Sequence, residues 1–349
     1  FWLAASPLFL GFLFILRRYP QTTPAFAILF TLALGFNAAQ IEANRLRSPL
    51  LKEHIKTVSI TGTLIRAEAM PKGSRLTLKR PWIRGMPKKE RPHIVRIKTR
   101  TPYEKLPPAG SRVNVWGPLW PPSDPVAPHG YNFRKHAYFS KLGASGMSYV
   151  EPRVWKSKYP LRFFWDGFHV MFEKARRALT EMTYARLEPP TKSMTATLLS
   201  GSQSGIDRDV MKDMRLSGLS HLLSISGIHV SMMALLVYVP LRFLLALWPW
   251  FALRFPIKKI AAFAAIIATS LYTILVGADA PTVRSALMTG IVFFAILTDR
   301  KALSLRLVAL AAMAIMLITP SASMGPSFQM SFAAVLAMIA AYEKSINVH

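Results

Sequence analysis

The feature that most constrains this chain is an uncharged run that begins with polar side chains and ends as a purely apolar helix. Residues 222–241 contain no Asp, Glu, Lys or Arg. At about 1.5 Å per residue, a helix of that length crosses most of a hydrocarbon core about 30 Å thick. Yet the first half of the run carries hydroxyl and imidazole groups, which are costly at membrane depth unless they face a partner or water. The run therefore predicts a membrane helix with a functional polar end.

The polar end supplies four candidate site residues: Ser224, Ser226, Gly227 and His229. If the helix includes them, Ser226 and His229 are spaced i, i+3 and lie on one face. Ser226 and Gly227 are small enough to let a neighbouring helix or a passing polymer come close. A structural interpretation stays open, in which the serines bond back to carbonyls of the preceding turn and the histidine packs against a neighbour.

One string in this region is similar to a known family. Residues 220–230 read Ser-His-Leu-Leu-Ser-Ile-Ser-Gly-Ile-His-Val, which closely resembles the competence-domain signature of ComEC proteins. Members of this family are inner-membrane DNA channels of natural transformation. The resemblance implies a transmembrane channel for the uptake of single-stranded DNA, and the polar end of the helix would line its path.

Composition agrees with a membrane protein that also has a soluble part. The chain has 349 residues, of which 52% are apolar, and a net charge of +27. The apolar residues are concentrated in segments, which indicates membrane spans. No cysteine is present, which excludes disulfides and thiolate metal sites. Because the chain starts with Phe inside an apolar run, we interpret it as a piece of a longer protein.

Residues 1–40 are predicted to form two N-terminal transmembrane helices, over 1–16 and 24–40. Arg17 and Arg18 lie in the short loop between them. Short loops rich in Lys and Arg stay in the cytoplasm. The chain from residue 41 to residue 192 is therefore expected outside the bacterial inner (plasma) membrane.

Residues 41–155 are predicted to form a basic, soluble domain of β-strands. Between residues 41 and 160 there are 24 Lys and Arg residues against 7 Asp and Glu. Period-two alternation broken by Pro and Gly is typical of a small antiparallel barrel. The alternating runs cover 57–65, 75–79, 93–98 and 112–116.

Residues 109–118 and 129–139 resemble the end of the OB-like domain of ComEC proteins. The expected fold class is thus an α-helical polytopic membrane protein with a small soluble all-β domain, an OB-like barrel, outside the cytoplasm. Cationic strands with interleaved aromatics are a common format for binding a single nucleic-acid strand. A solvated basic face that attracts anionic lipid head groups is the alternative. The candidate DNA-contacting residues are Lys79, Arg80, Trp82, Arg84, Arg96, Lys98, Arg100, Tyr103 and Trp116.

Two further domains are expected after the barrel. Residues 156–192 form a linker and an amphipathic helix, with apolar side chains at helical spacing, that lies on the outer leaflet or packs against the outer end of a channel. Residues 193–349 form the competence transmembrane domain, truncated at its C-terminus. Placing the Lys- and Arg-rich short loops in the cytoplasm gives seven spans in total.

Of the charged residues in this domain, Arg284 is the strongest candidate for a functional role. Residues 279–288 are similar to a small-Pro-x-x-Arg-Ala-x-Met element of the family, with Ser285 in place of the usual small residue. A guanidinium at the outer end of a helix bundle can contact phosphate with two hydrogen bonds. An ion pair with Asp279 is the structural alternative, and both residues are candidates for the DNA path.

The resemblance implies a transporter rather than an enzyme, with DNA and membrane lipids as partners and with no cofactor or metal. No Walker motif is present, so the energy would come from a cytoplasmic DNA-dependent ATPase or from the proton gradient. The family also implies an outer DNA-receptor protein, and a homodimer is compatible with the sequence. Two alternatives remain. One is an intramembrane serine hydrolase using Ser226 and His229, and the other is a membrane scaffold with a nucleic-acid- or lipid-binding outer domain.

Overall fold

The computed structural model describes residues 23–128, 130–156, 164–221, 223, 225–299 and 305–346. They divide into two compact units, which are described separately. One combines the described parts of Phe1–Arg45 and Val308–His349, and the other spans Leu46–Leu307. The span expected over residues 1–16 lies outside the described residues. The span expected over 24–40 falls within helix α1, Thr23–Leu46.

The first part of the larger unit is a β-sheet domain of six strands. They are β1 (Ile55–Met70), β2 (Gly73–Ile83), β3 (Ile94–Thr99), β4 (Arg112–Trp120), β5 (Leu142–Ser148) and β6 (Arg153–Lys156), with helix α2 (Phe133–Phe139) before β5. The four alternating runs of the sequence correspond to β1–β4. Their inward side chains, among them Ile60, Leu76 and Val95, are fully buried in one core. Burial of one face is what produces the period of two.

The sheet departs from the expected all-antiparallel pairing in one place. Strands β3 and β5 are parallel, whereas the other paired strands are antiparallel. A parallel pair needs a long crossover connection, and the chain between these two strands contains β4 and α2. Strand β1 pairs with both β2 and β4, in addition to the order β1-β2-β3-β5-β4-β6.

Helix α3 (Phe164–Arg186) follows the sheet, and its buried side is polar. Glu173, Arg176, Thr180 and Thr183 are buried, while residues of the expected apolar stripe are exposed, such as Met171 at 55%. This side packs against β1 and the C-terminal end of a later helix, α8. The helix therefore uses ion pairs and hydrogen bonds, and not only apolar contacts, to attach to the rest of the unit. Short helices α4 (Thr191–Ser200) and α5 (Arg208–Leu216) come next.

The helical part of the larger unit is built on three apolar helices. They are α6 (Gly227–Ala246), α8 (Ile257–Leu275) and α9 (Ala280–Leu297), with the short α7 (Pro249–Arg254) between the first two. Ala234, Ala262 and Ala265 are fully buried where these helices meet, together with Phe293. Small residues let the backbones approach, as is common between membrane helices.

Among the described residues, α6 and α8 are long and apolar enough to cross a membrane. Three shorter apolar stretches, Thr282–Leu297, Val308–Ile318 and Phe328–Ala341, fall below that length. Most of the large apolar side chains of α6 are exposed, including Ile228 and Leu236. Such a surface suits a lipid environment, so the structure indicates membrane association.

The smaller unit contains most of α1, most of α10 (Leu305–Ile318) and the last helix, α11 (Pro326–Ile346). Glu42 of α1 accepts hydrogen bonds from the backbone N–H and the hydroxyl of Ser321, at 2.8 and 2.7 Å. Ser321 lies in a short 3-10 helix, Pro320–Met324, before α11. This contact fixes α1 to the turn that precedes α11.

Candidate functional site

The polar residues of the signature lie at and before the N-terminus of a helix, and they do not make up the first half of that helix. Helix α6 begins at Gly227, and Ser226 has an extended backbone as its N-cap. The expectation that Ser226 lies within the helix was therefore wrong, because Ser226 precedes the first helical residue. A helix leaves its first N–H groups unpaired. Here the side chain of Ser226, which precedes the helix, accepts a hydrogen bond from a backbone N–H of the first turn. Ser224 lies outside the described residues.

Ser226 and His229 are in direct contact across the first turn of α6. His229 Nδ1 accepts a hydrogen bond from the Ser226 backbone N–H at 3.2 Å and lies 3.1 Å from Ser226 Oγ. An N–H donor fixes Nδ1 as the unprotonated nitrogen, which puts the ring proton on Nε2. The pair thus has a structural role as a cap. Nε2 is the polar atom of this imidazole that the cap does not use.

Gly227 marks the point where α6 comes close to α9. A Cβ added to Gly227 would lie 3.2 Å from Ser285 Oγ, which is tighter than ordinary van der Waals contact. Ser285 belongs to α9, one residue after Arg284. The structure therefore brings the start of α6, with Ser226 and His229, to the first turns of α9.

Arg284 is half-buried in α9, and Asp279 is the exposed N-cap of the same helix. No ion pair joins these two described residues. The structural alternative that the sequence left open for Arg284 is therefore not observed. Asp279 instead interacts electrostatically with Arg96 of the β-sheet domain.

Two exposed tryptophans flank a cluster of hydroxyl and amide groups, of which Thr61 is buried. Trp82 of β2 is paired in register with Thr61 of β1, and Trp116 of β4 is paired with Ser59. Asn114 Nδ2 donates hydrogen bonds of 2.8 Å to both Ser59 Oγ and Thr61 Oγ1. We call this surface, made by Trp82, Thr61, Ser59, Asn114 and Trp116, the tryptophan face.

The tryptophan face has the ingredients for stacking flat aromatic ligands. Trp116 is 55% exposed and Trp82 is 42% exposed. The guanidinium of Arg91 lies 5.8 Å from the ring centre of Trp82. In the next row of the sheet, Thr63 of β1 is paired with Lys79 on one side and with Arg112 on the other. Exposed indoles beside cationic groups provide both base stacking and phosphate contact.

The other predicted barrel residues are distributed over several surfaces. Arg80 and Arg84 are exposed near Trp82, and the Arg84 backbone N–H donates to the Ser59 carbonyl. Lys98 and Arg100 are exposed at the far end of β3. Tyr103 is buried beneath the Arg177 guanidinium, and burial raises its pKa. Arg96 is half-buried in a charged cluster at that same end of the sheet.

This charged cluster was not identified from the sequence. Arg66 and Glu68 of β1, Arg75 of β2 and Arg96 of β3 lie in two adjacent rows of the sheet, and we call these four residues the arginine cluster. Glu68 Oε1 lies 3.1 Å from Arg66 Nε, and Glu68 Oε2 lies 3.3 Å from Arg75 Nη1. Burial alone would raise the pKa of Glu68, but the three arginines outweigh it and hold that pKa below its usual value.

Helical residues surround the arginine cluster. The Ser202 hydroxyl donates to Glu68 Oε1 at 3.3 Å, and Arg75 Nη1 donates to Ser204 Oγ at 3.1 Å. Gly277, in the turn between α8 and α9, lies so close that an added Cβ would be 3.1 Å from Arg66 Nη1. The cluster therefore lies where the sheet meets the helices. Nothing in the sequence apart from their small size pointed to Ser202 and Ser204.

A buried ion pair on α3 connects the same elements. Glu173 Oε1 accepts a hydrogen bond of 3.1 Å from the Ala67 N–H of β1, and its other oxygen pairs with Arg176. Arg176 Nε donates at 2.8 Å to the Leu275 carbonyl at the end of α8. Burial raises the pKa of Glu173 despite the neighbouring Arg176. A cation that caps α8 complements its dipole.

Among the residues that the structure describes, no three His, Asp or Glu side chains come together to hold a metal ion. The arrangement offers stacking, hydrogen bonding and phosphate contact. Ser226 and His229 resemble a catalytic pair, but among the residues that the structure describes no third side chain hydrogen-bonds to the imidazole.

Comparison with known proteins finds a family match in the C-terminal part of the chain. Residues 198–347 match the family described as Competence protein. Over 231 residues the chain is 22% identical to ComE operon protein 3 of Bacillus subtilis strain 168, an alignment that covers 66% of this chain and 27% of that protein. The chain thus spans about a quarter of the length of this curated relative. No solved structure matches the chain.

Proposed function

Since residues 198–347 carry the Competence domain of the ComEC family, we propose that the chain forms part of a transmembrane channel that takes up single-stranded DNA during natural transformation. The family supports a role in competence and DNA uptake. One structural observation carries the channel proposal further. The described part of the Competence domain between 198 and 307 shares a compact unit with a β-sheet domain that exposes two tryptophans around hydrogen-bonding groups.

The β-sheet domain is proposed to be an OB-type barrel. Strands β1–β5 are paired in the cyclic order β1-β2-β3-β5-β4-β1, and β6 is added to β4. The pairing of β1 with β4 extends from Ile55 to Thr63, and the pairing of β4 with β5 involves Leu119 and Trp120. A cyclic order of five strands is what a small closed or partly open barrel requires.

The tryptophan face is proposed to hold the incoming strand. Each base can stack on an indole, and stacking does not depend on base identity. Lys79, Arg80 and Arg84 are close enough along β2 and its end to contribute charge, which concentrates a polyanion near the membrane. Lys98 and Arg100 would add charge at the other end of the sheet.

The DNA path through the membrane is proposed to pass the contact between α6 and α9. Ser226, Gly227 and His229 lie at the start of α6, and Arg284 lies in the first turns of α9. His229 Nε2 and the Arg284 guanidinium can donate hydrogen bonds to phosphate or sugar without reading sequence. Ser224 and Asp279 complete the set of proposed path residues.

The membrane topology is proposed to be multi-pass in the bacterial inner membrane. Residues 1–40 would contribute two spans, residues 41–192 would be extracytoplasmic, and residues 193–349 would form the competence transmembrane domain. Helices α6 and α8 support crossing by length and composition. A cytoplasmic DNA-dependent ATPase, an outer DNA-receptor protein and a second copy of the chain are the proposed partners.

Uptake of labelled duplex DNA tests the channel role. In the host, with the complete gene and matched membrane levels, His229→Ala and Arg284→Ala should let DNA bind at the cell surface but should reduce its entry into the cytoplasm at least about ten-fold. That factor corresponds to the loss of one charge-assisted hydrogen bond. Normal entry in both variants would reject these residues as part of the path, and normal entry after deletion of the gene would reject the channel role.

The distance of 3.1 Å between Ser226 Oγ and His229 Nδ1 keeps an intramembrane serine hydrolase as the second candidate. A serine nucleophile needs an adjacent base, and this geometry provides one. A hydrolase would form a covalent adduct at Ser226 with a serine-directed phosphonate probe, whereas a channel would form none.

A further inference from the structure

The arginine cluster has more positive charge than its own residues neutralise. Arg66, Arg75 and Arg96 surround one carboxylate, Glu68, at the junction of the sheet with the helices. Asp279 interacts with Arg96, and Glu173, which is paired with Arg176, interacts with Arg66. Counting Arg176 with the three arginines gives four positive charges against the three carboxylates of Glu68, Asp279 and Glu173, which still leaves an excess of positive charge. A buried charge without a partner is costly, so the cluster lacks an anion.

Unpaired donors identify the same place independently. Among the described residues, the buried side-chain nitrogen and oxygen atoms without a hydrogen-bond acceptor are Arg66 Nε, Arg75 Nε and Arg96 Nε. Arg66 Nε approaches Glu68 as an ion pair but without hydrogen-bond geometry. Buried polar groups in native proteins nearly always have a partner. That every such atom falls in one cluster indicates a missing acceptor there.

The cluster is partly exposed to solvent. The side chains of Arg66 and Arg75 are 23% and 25% exposed, while Glu68 is 11% exposed. Three serines, Ser193, Ser200 and Ser202, and two tyrosines, Tyr103 and Tyr184, line the space beside Arg66. The hydroxyls of Ser193 and Ser200 donate to the carbonyls of Pro190 and Ala196, so the donors that this space offers to an anion are the guanidinium N–H groups.

We infer that the arginine cluster is a binding site for a phosphodiester group of single-stranded DNA, placed between the β-sheet domain and the α8–α9 turn. Guanidinium groups bind phosphate through paired N–H donors. The inference rests on the proposed function and deepens it, because it assigns the step between the tryptophan face and the path residues of α6 and α9. Along β1, Thr61 and Glu68 are seven residues apart, which is roughly 23 Å at about 3.3 Å per residue. One strand of DNA can contact both.

Glu68 has a defined role in this site. It holds the three arginines together when DNA is absent, and it competes with phosphate for the same donors. Removal of the carboxylate and removal of an arginine should therefore have opposite effects on DNA binding. If the cluster only connected the sheet to the helices, both changes would break the same ion pair and would act in the same direction.

The test measures binding of the full chain, in a neutral detergent, to a fluorescein-labelled oligothymidine of about 20 nucleotides, which exceeds one OB-type site. Fluorescence anisotropy is recorded between about 50 and 200 mM salt, the range in which phosphate contacts dominate the salt dependence. Arg75→Gln should weaken binding about ten-fold, and the slope of log K against log salt should fall by about 0.7 for each phosphate that the protein no longer neutralises. Glu68→Gln should tighten binding and should not reduce the slope.

Arg134→Gln is the matched control, because Arg134 is exposed on α2 and pairs with Asp124. It removes the same charge and should leave affinity and slope close to wild type. An unchanged slope in Arg75→Gln, or weaker binding in Glu68→Gln, would overturn the inference. If Glu68→Gln does not fold, the slope of Arg75→Gln decides alone.

The outcomes separate this inference from the proposed function. Binding that needs Trp116 but has the same slope in wild type and Arg75→Gln rejects the phosphate site and leaves the tryptophan face in place. Absence of any binding by the wild type rejects both. If a lipid head group is the occupant instead, purified wild type carries phospholipid that Arg75→Gln loses, and the oligonucleotide slope does not change. That result also overturns the inference.

Discussion

Single side chains decide what the two ends of the β1–β2 ribbon can do. At one end, Trp82 and Trp116 expose flat apolar rings around the amide of Asn114. At the other end, Arg66, Arg75 and Arg96 share one carboxylate. An indole contributes stacking, which salt does not screen, whereas a guanidinium contributes charge, which salt does screen. The two ends should therefore respond differently to ionic strength.

Replacement of Trp116 tests the stacking end. Trp116→Ala should weaken oligothymidine binding about 5- to 150-fold, because base stacking is worth about 1–3 kcal/mol by alanine substitution. The salt dependence should stay as in wild type, since the same number of phosphates is neutralised. Trp116→Phe, which keeps an aromatic ring, should recover most of the affinity. Anisotropy titrations at two salt concentrations measure both quantities.

The control for Trp116→Ala is Trp248→Ala. Trp248 is 70% exposed but lies between α6 and α7, far along the chain from the sheet. Its removal should not change DNA binding. Equal losses of affinity in the two variants would mean that the measured effect comes from general destabilisation, and the stacking role of Trp116 would be rejected.

Several single residues were predictable from the sequence, and others were not. The alternation of residues such as Leu76 and Leu78 predicted buried strand positions, because burial of one face imposes a period of two. The same alternation could not show that Trp82 and Trp116 flank Asn114, because that arrangement depends on which strands pair and in what register. Glu68 is a single acidic residue in a basic segment, and its role depends on arginines from three strands.

At the scale of elements, the start of α6 differs most from the sequence-based expectation. An uncharged run predicts that a helix can form but does not locate its first residue. The start is set by hydrogen bonds, here by Ser226 as the N-cap and by His229 Nδ1, which accepts the Ser226 N–H. The approach of Gly227 to Ser285 depends on how α6 packs against α9. Only the small size of Gly227 was visible in the sequence.

Replacement of Gly227 tests the packing of α6 against α9. Gly227→Val should lower the free energy of unfolding by about 1–3 kcal/mol, because a branched side chain overpacks the contact with Ser285. Gly227→Ala adds only a Cβ, and the better helix propensity of alanine offsets the close contact. Thermal unfolding of the full chain in detergent, followed by tryptophan fluorescence, measures the difference.

Two further variants complete this experiment. Gly227→Val combined with Ser285→Gly should regain part of the stability, because residues in contact are energetically coupled by about 0.5–3 kcal/mol. Ile228→Val is the control. Ile228 is the next residue along the helix and is 71% exposed, so this substitution alters a side chain beside Gly227 without adding atoms to the contact with Ser285. A double variant that is no more stable than Gly227→Val would contradict a direct contact between these residues.

At the scale of the whole molecule, the sequence predicts seven spans, and the described helices α6 and α8 have the length to cross alone. The apolar stretch of α9 is shorter, so whether α9 crosses is argued from its packing against α8. Lys259 Nζ at the start of α8 lies 2.6 Å from Asp299 Oδ2 just after α9, so the two helices form an antiparallel hairpin. An exposed ion pair contributes little energy, but its geometry puts the start of α8 and the end of α9 next to each other. If α8 crosses the membrane, α9 must return.

Accessibility of single cysteines tests this topology, and the chain is suited to it because it contains no native cysteine. A membrane-impermeant maleimide applied to spheroplasts should label Lys88→Cys in the sheet domain and Asp279→Cys in the α8–α9 turn. It should not label Arg254→Cys or Thr298→Cys until the membrane is permeabilised. All four positions are exposed in the structure, so a missing label reports protection by the membrane and not burial within the protein.

Labelling of Thr298→Cys together with Asp279→Cys from outside would show that α9 does not cross the membrane. Labelling of all four positions from outside would leave the hairpin outside the bilayer, and a continuous DNA path through α6 and α9 would then be ruled out.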